Sequence, residues 1–287
     1  MTPLAKLAGL SCFLSLMCAF AFSQGTYQEI YVPGSQYTYC LGINSSGVVV
    51  GFFIDADGQE HAFFYQSGHY TTFDYPGADS TALAAINDNG QVVVDAPSGG
   101  FDRLFLYDLE TGKETDISDP GAYYTIVLGM NNRGTVVGYG LVGYSFAGFQ
   151  EDALGRVRNI RPPVSNAERA TGITDDGVVY GYYYFANGFG ESFRLVHNQY
   201  RQVHIPAGPY AVVSGVNFAG TAMIGLYSPI GNTDSFILQN GTLQTIAYPG
   251  ARDTYAASVN NFAQVTGNFY YDTGPGRGFL WTPDPQK

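Results

Sequence analysis

Basic residues are scarce: 13 Lys and Arg stand against 24 Asp and Glu, none of the 13 in a run, for a formal net charge of −11. Nucleic acid and anionic membrane surfaces recruit clustered Lys and Arg, so neither is a partner this composition supports. Cysteine is scarcer still, at three, and two of these, Cys12 and Cys18, fall in an apolar run at residues 7–22 that only Gly and Ser interrupt. With Lys6 before it and the small residues Ala21 and Ser23 at its end, that run reads as an export signal cleaved after Ser23. A membrane anchor is the competing reading, but about 16 residues fall short of the ~20 that a spanning helix needs. Residues 1–23 are therefore expected to be a signal peptide and residues 24–287 a single domain, secreted or periplasmic and free of the membrane after cleavage. Cleavage removes Lys6 and no acid, so the charge moves from −11 to −12. It leaves Cys40 alone, so no disulfide is possible within the mature chain. A chain of this length can bury enough apolar surface to fold without one.

The signatures of common chemistry are missing as well. There is no Gly-x-Ser-x-Gly elbow. The four histidines, His61, His69, His197 and His204, fall on segments expected at the rim of the fold, where they are read as dispersed and solvated rather than converging on a metal or a nucleophile.

What the sequence does contain is one motif six times. Gly-Ile-Asn-x-x-Gly-x-Val-Val-Gly has its Asn column at Asn44, Asn87, Asn131, Thr174, Asn217 and Asn260. A proline, usually followed by Gly, keeps step at Pro33, Pro76, Pro120, Pro163, Pro206 and Pro249. An aromatic column runs through Phe63, Phe105, Phe193, Phe236 and Phe279, with Gly148 and the adjacent Phe149 in the third copy. Each copy of about 43 residues reads as four short strands, A to D, rich in Val, Ile, Tyr, Phe and Thr. In the first copy these are 37–43, 48–54, 61–65 and 70–75. The turn Asn44-Ser45-Ser46-Gly47 joins A to B, with Asn bonding its own backbone and Gly taking a positive φ.

Four antiparallel strands at this period define an all-β, six-bladed β-propeller. The last copy stops after strand C (278–281), while residues 26–32 precede Pro33 as an unpaired strand D. Pairing the two closes the ring and removes both exposed edges. The small residues before each Ile-Asn, Gly42, Ala85, Gly129, Gly172, Gly215 and Ser258, fit the crowding of innermost strands around the axis.

His61-Ala62-Phe63, preceded by Asp57-Gly58 and followed by Tyr70-Thr71-Thr72-Phe73-Asp74-Tyr75-Pro76-Gly77-Ala78, resembles the bacterial extracellular repeats of the HAF family, named for that tripeptide. The tripeptide itself occurs only in the first copy. The resemblance implies a secreted repeat protein and brings no catalytic residues with it.

Two readings of a site follow. Asp55 and Asp57, in Asp-Ala-Asp-Gly-Gln-Glu, alternate as Ca²⁺ ligands do, but the twelve-residue ligand loop is missing and Asp57-Gly58 is a hairpin turn, so the turn is preferred over the metal. No other cofactor is implied. The D–A and B–C connections should share one face, and they vary between copies while the A–B and C–D turns repeat, which makes that face the place to install specificity. Tyr37, Tyr124, Tyr144, Tyr184, Tyr210, Tyr227, Tyr255, Tyr270 and Tyr271 fall on these variable parts. Glu168, Arg169, Tyr210, Arg252, Asp253 and Tyr255 are the expected ligand contacts, where strand A enters the axial funnel. The expectation is a monomeric, non-enzymatic propeller that binds an extracellular carbohydrate or protein. The alternative is a secreted carbohydrate-active hydrolase or lyase, which would need two carboxylates across the funnel, with Asp79, Glu168 and Asp253 as candidates.

Overall fold

The computed structural model describes residues 25–117, 122–163, 167–185, 190–208, 210–228 and 232–285. The expected signal segment lies outside the described residues. Twenty-four strands form six four-stranded antiparallel sheets around one axis. Blade one is β2 (Tyr37–Ile43), β3 (Val49–Ile54), β4 (Glu60–Gln66) and β5 (His69–Phe73), and blade two is β6 (Ala82–Ile86), β7 (Gln91–Asp95), β8 (Leu104–Asp108) and β9 (Glu114–Asp116). Blade three is β10 (Thr125–Met130), β11 (Val136–Val142), β12 (Ser145–Glu151) and β13 (Val157–Ile160). Blade four is β14 (Ala167–Ile173), β15 (Val179–Tyr184), β16 (Gly190–Val196) and β17 (Gln199–Val203). Blade five is β18 (Val212–Val216), β19 (Ala222–Tyr227), β20 (Asp234–Gln239) and β21 (Thr242–Ile246). Blade six is β22 (Asp253–Val259), β23 (Val265–Tyr270), β24 (Arg277–Pro283) and, from the other end of the chain, β1 (Gly25–Ile30). The fourth strand of the last blade is thus supplied by the N-terminal part of the domain, as the split repeat predicts.

The three repeating landmarks have separate physical jobs. The Pro-Gly pair makes a tight turn between blades: Gly34, Gly77 and Gly250 have φ of 84°, 80° and 78°, and the amides of Ser35, Ala78 and Ala251 bond back to the carbonyls of Val32, Tyr75 and Tyr248. Proline fixes the first central residue of such a turn and glycine accepts the positive φ of the second. The aromatic column is the core. Phe63, Phe105, Phe149, Phe193, Phe236 and Phe279 are all buried, so in the third copy Phe149 fills the column and Gly148 does not. In five blades this Phe lies opposite the last Gly of the repeat motif, for example Gly51 opposite Phe63 and Gly225 opposite Phe236. A Cβ at Gly225 would overlap both the Phe236 ring and the Val212 carbonyl. Blade two has Val94 in this column, and nothing in the structure explains why it alone tolerates a side chain.

The Asn column does more than turn the chain. Asn44 Oδ1 accepts the amides of Ser46 and Val48, at 3.1 and 3.0 Å. Its Nδ2 meanwhile donates to the carbonyl of Asn87 in the next blade. The same link runs from Asn87 to Asn131, Asn131 to Thr174, Asn217 to Asn260 and Asn260 back to Asn44. Five side chains therefore staple neighbouring blades around the axis, with the position held by Thr174 the exception.

Every innermost strand also carries a β-bulge at the same place, between Cys40 and Gly42 in blade one and at the matching residues in the other five. An extra residue in one strand re-aims its side chain. The bulge residues Leu41, Ala84, Leu128, Thr171, Ser214 and Ala257 consequently all line the axial cavity. Below them the small column closes the axis: a Cβ on Gly129 would stand 3.0 Å from the Cα of Gly172. Cys40 is buried beside this inner layer, where burial pushes its thiol pKa up to about 12. Its amide and carbonyl are clamped by the Asn268 side chain of blade six, at 2.8 and 3.1 Å.

Candidate functional site

On the face formed by the D–A and B–C connections the axis opens into a funnel of about 490 Å³. Its floor is the ring of bulge residues. Its wall is the column that follows the last Gly of the motif: Phe52, Asp95, Tyr139, Tyr182 and Leu226, from five different blades. The sixth member, Asn268, is the clamp on Cys40. Glu60, at the start of β4, and Arg169, on β14, also line the cavity.

Arg169 is half-buried in an aromatic nest. Its guanidinium carbon lies 4.7 Å from the centre of the Tyr139 ring, 5.2 Å from Phe146 and 5.8 Å from Tyr182, and Nη1 donates to Tyr182 Oη at 2.8 Å. Ring faces offer a cation partial compensation, about 0.5–2 kcal/mol each depending on solvation. Burial works against the Arg169 charge, and the surrounding tyrosine hydroxyls, Tyr182 first, more than offset it, so its pKa lies above the ordinary value. Among the described residues no carboxylate forms an ion pair with it. Glu60 and Asp95 likewise have no basic partner among those pairs. Burial, then the charge of Asp95, raises the pKa of Glu60. Asp95 is exposed in area yet recessed within the mouth, where the surrounding protein and then Asp102 push its pKa up.

Of the six expected contacts, Arg169 alone lines the funnel. Glu168, its neighbour on an alternating strand, is buried and lies 3.9 Å from Arg161. Arg252 and Asp253 pair with each other, Nε to Oδ2 at 2.7 Å, and Asp253 Oδ1 accepts the Thr233 amide at 2.8 Å, which braces blade six against the B–C connection of blade five. Tyr255 packs edge-on against Tyr270, with ring centres 5.7 Å apart. Tyr210 is exposed on the rim, as are Tyr144 and Tyr184. Arg169 and Tyr255 occupy equivalent positions on strand A, ahead of the same bulge, so the side chains packed around each, and not its register, separate these outcomes. Asp95 stands out in the aligned copies, since the column Phe52, Asp95, Tyr139, Tyr182, Leu226, Asn268 has one acid among mostly apolar members, whereas Glu60 gives no such signal.

The Asp-Gly segment forms a turn. Asp55 Oδ1 accepts the amides of Asp57 and Gln59, at 2.9 and 2.8 Å. Asp55 Oδ2 faces His61 Nε2 at 3.4 Å, and His61 Nδ1 meets Asp74 at 2.8 Å. His61 is thus clasped between two carboxylates and stacked on Phe53, a correction to the solvated position expected of it. The equivalent residues of the other copies, Arg103, Phe146, Glu191, Asp234 and Arg277, are half-buried too, and there long side chains lie over rings, as Arg103 does over Phe105 and Arg277 over Tyr31. Among the described residues no group of three or more His, Cys, Asp or Glu side chains is arranged to hold a metal. A second groove, of about 640 Å³, runs along blade four past Glu191, Gln202 and His204. There Glu191 already takes the Tyr183 hydroxyl at 2.8 Å, so it lacks the uncompensated charges of the funnel.

No family model matches the chain, and no curated protein does. Solved structures do, and they are propeller proteins. TolB from Acinetobacter baumannii superposes with a TM-score of 0.56 at 12% identity, over 82% of this chain and 66% of that one. AofleA from Arthrobotrys oligospora gives 0.56 at 13% identity, over 89% and 86%. The β-propeller domain of the Trilobed protease from Pyrococcus furiosus, which has an open velcro topology, gives 0.54 at 11% identity, over 87% and 97%. At these identities the likeness defines the class, a six-bladed β-propeller of four-stranded antiparallel blades, and no more than the class.

Proposed function

We propose that this chain is an exported, monomeric binding propeller that takes an extracellular carbohydrate in its axial funnel. The observation that carries the proposal is the funnel itself: Phe52, Tyr139 and Tyr182 line it with aromatic surface, the last two also holding Arg169, while Arg169, Glu60 and Asp95 bring hydrogen-bonding charges of both signs to one concave mouth. A concave, mostly apolar opening with a few convergent polar groups is where a fold of this kind binds a small ligand. Aromatic faces suit the C–H surface of a sugar ring, and charged side chains suit its hydroxyls.

A glycan array probed with residues 24–287 tests this. Once a binding glycan is found, Arg169→Ala and Tyr139→Ala should each weaken it by about 1 kcal/mol or more, whereas His69→Ala, on a C–D turn of the opposite face, should leave it unchanged. Loss from Tyr210→Ala with none from Arg169→Ala would move the site from the funnel to the rim. The second reading, a carbohydrate-active hydrolase or lyase, is favoured by one observation: Glu60 is a carboxyl whose pKa is raised by burial and by the neighbouring Asp95, the pairing that general acid catalysis uses. Turnover of a bound glycan that Glu60→Gln abolishes without loss of binding would establish it in place of simple binding.

A further inference from the structure

Among the described residues, three charged side chains that no ion pair neutralises line the funnel, and their sum bears on what can bind there. Glu60 and Asp95 contribute two negative charges and Arg169 one positive, a net of −1 in a chain whose own charge is −11. An acidic sugar would find one guanidinium, already shared among three rings, and two repelling carboxylates. A neutral sugar would leave the carboxylates accepting hydroxyls with their repulsion unrelieved. A sugar bearing one ammonium group would neutralise the cavity and leave Arg169 to donate to ring and hydroxyl oxygens.

From this charge balance we propose that the funnel is selective for an amino sugar with a free, protonated amine, the amine seated at Glu60 and Asp95, a hydroxyl or ring oxygen at Arg169, and the ring against Phe52 or Tyr139. This deepens the binding function proposed above and rests on it. The raised pKa of Glu60 agrees with it, since a carboxylate destabilised by burial and by a like charge gains most from a cation. The shape of the cavity agrees too. Asp95, Leu104, Thr125 and Ile126 line both the funnel and a shallower groove of about 340 Å³ that passes Asp102, Tyr123 and Tyr124. A short oligomer could leave the funnel along that groove, between blades two and three.

The test is calorimetric titration of residues 24–287 with four tetrasaccharides: β-1,4-linked glucosamine, its N-acetylated counterpart, cellotetraose and tetragalacturonate. The titrations are run at about pH 6, because the oxygens beside this amine make it far less basic than the roughly 10.4 of a lysine and it must be kept protonated. Attraction of a cationic oligomer to an acidic surface is controlled with Glu110→Gln, an exposed acid on the C–D turn of the opposite face. The glucosamine oligomer should bind at least tenfold tighter than the other three. The double variant Glu60→Gln, Asp95→Asn should remove that preference and Glu110→Gln should not. Equal or tighter binding of the neutral or acidic oligomer overturns the amino-sugar assignment and leaves the funnel as a sugar site. Binding of the glucosamine oligomer that Glu110→Gln weakens as much as the double variant does also overturns it, as surface attraction. If none of the four binds and the glycan array is likewise blank, the carbohydrate reading itself fails.

Discussion

Residues that look alike in the sequence are separated by what lies beside them. His61, His69 and His197 are all polar positions on outer strands or turns, yet only His61 is clasped, by Asp74 and Asp55. Burial alone would lower its pKa; the two carboxylates outweigh that and hold it above 6.5. The stability this clasp contributes is fully present below the unfolded-state value of about 6.5 and is lost as pH rises through the higher folded-state value. Asp55 runs the other way. The Gln59 amide holds its pKa down despite some burial, so its share is lost as pH falls through that lowered value. Urea unfolding midpoints should therefore decline as pH rises above about 6.5, and His61→Gln should flatten that decline. An unchanged slope in His61→Gln would mean that solvent screens the clasp to nothing.

At the scale of the element, the telling strand is β1. It pairs with β24 over six residues, from Gly25 opposite Pro283 to Ile30 opposite Gly278. It also reaches past its own blade: Tyr27 packs edge-on against Tyr248, and its hydroxyl accepts the Ala247 amide of blade five at 2.9 Å. Ile30 joins the core shared with blade one. Deleting residues 24–32 should leave β24 as an open, largely apolar edge and remove a seam between the first and last blades. The expected outcome is aggregation or a large fall in melting temperature, read by circular dichroism and light scattering. A truncated chain that melts like the parent would show that the ring is held by the other blade contacts alone. The innermost strands carry a further lesson, since all six are bulged at one position. Hydrophobic alternation makes each of them legible as a strand, but it does not foresee the extra residue of the bulge, and those six extra residues are the floor of the cavity.

Across the whole molecule the Asn staples form a ring with one missing link. Thr174 accepts from Asn131, but its hydroxyl is spent inside its own turn, on the Val178 amide at 3.0 Å, and has no reach to blade five. Thr174→Asn should restore both functions, bonding its own turn and donating to the Asn217 carbonyl. A net hydrogen bond is worth about 0.5–1.5 kcal/mol, so the variant should raise the unfolding free energy by an amount in that range and move the midpoint upward. A lower midpoint would show that the bond between the Thr174 hydroxyl and Asp176 matters more than the inter-blade link.

The fold was legible before any coordinates because its determinants are local and repeated six times: a proline and glycine that set a turn, an asparagine that bonds its own backbone, a buried phenylalanine and a fixed spacing. Repetition averages out the noise of any single strand, and the split repeat at the two ends implied closure. The candidate site was only partly legible, since it belongs to no single copy. Arg169 could be placed at the axis from its register, but Glu60 and Asp95 come from different blades and acquire meaning only by sharing a cavity. Asp253 and Arg252 looked as suitable until the structure paired them with each other. Strand, turn and blade follow from neighbours in the chain, which the sequence states outright. Which charges are left uncompensated around an axis depends on six blades meeting there, and only the tertiary structure decides that.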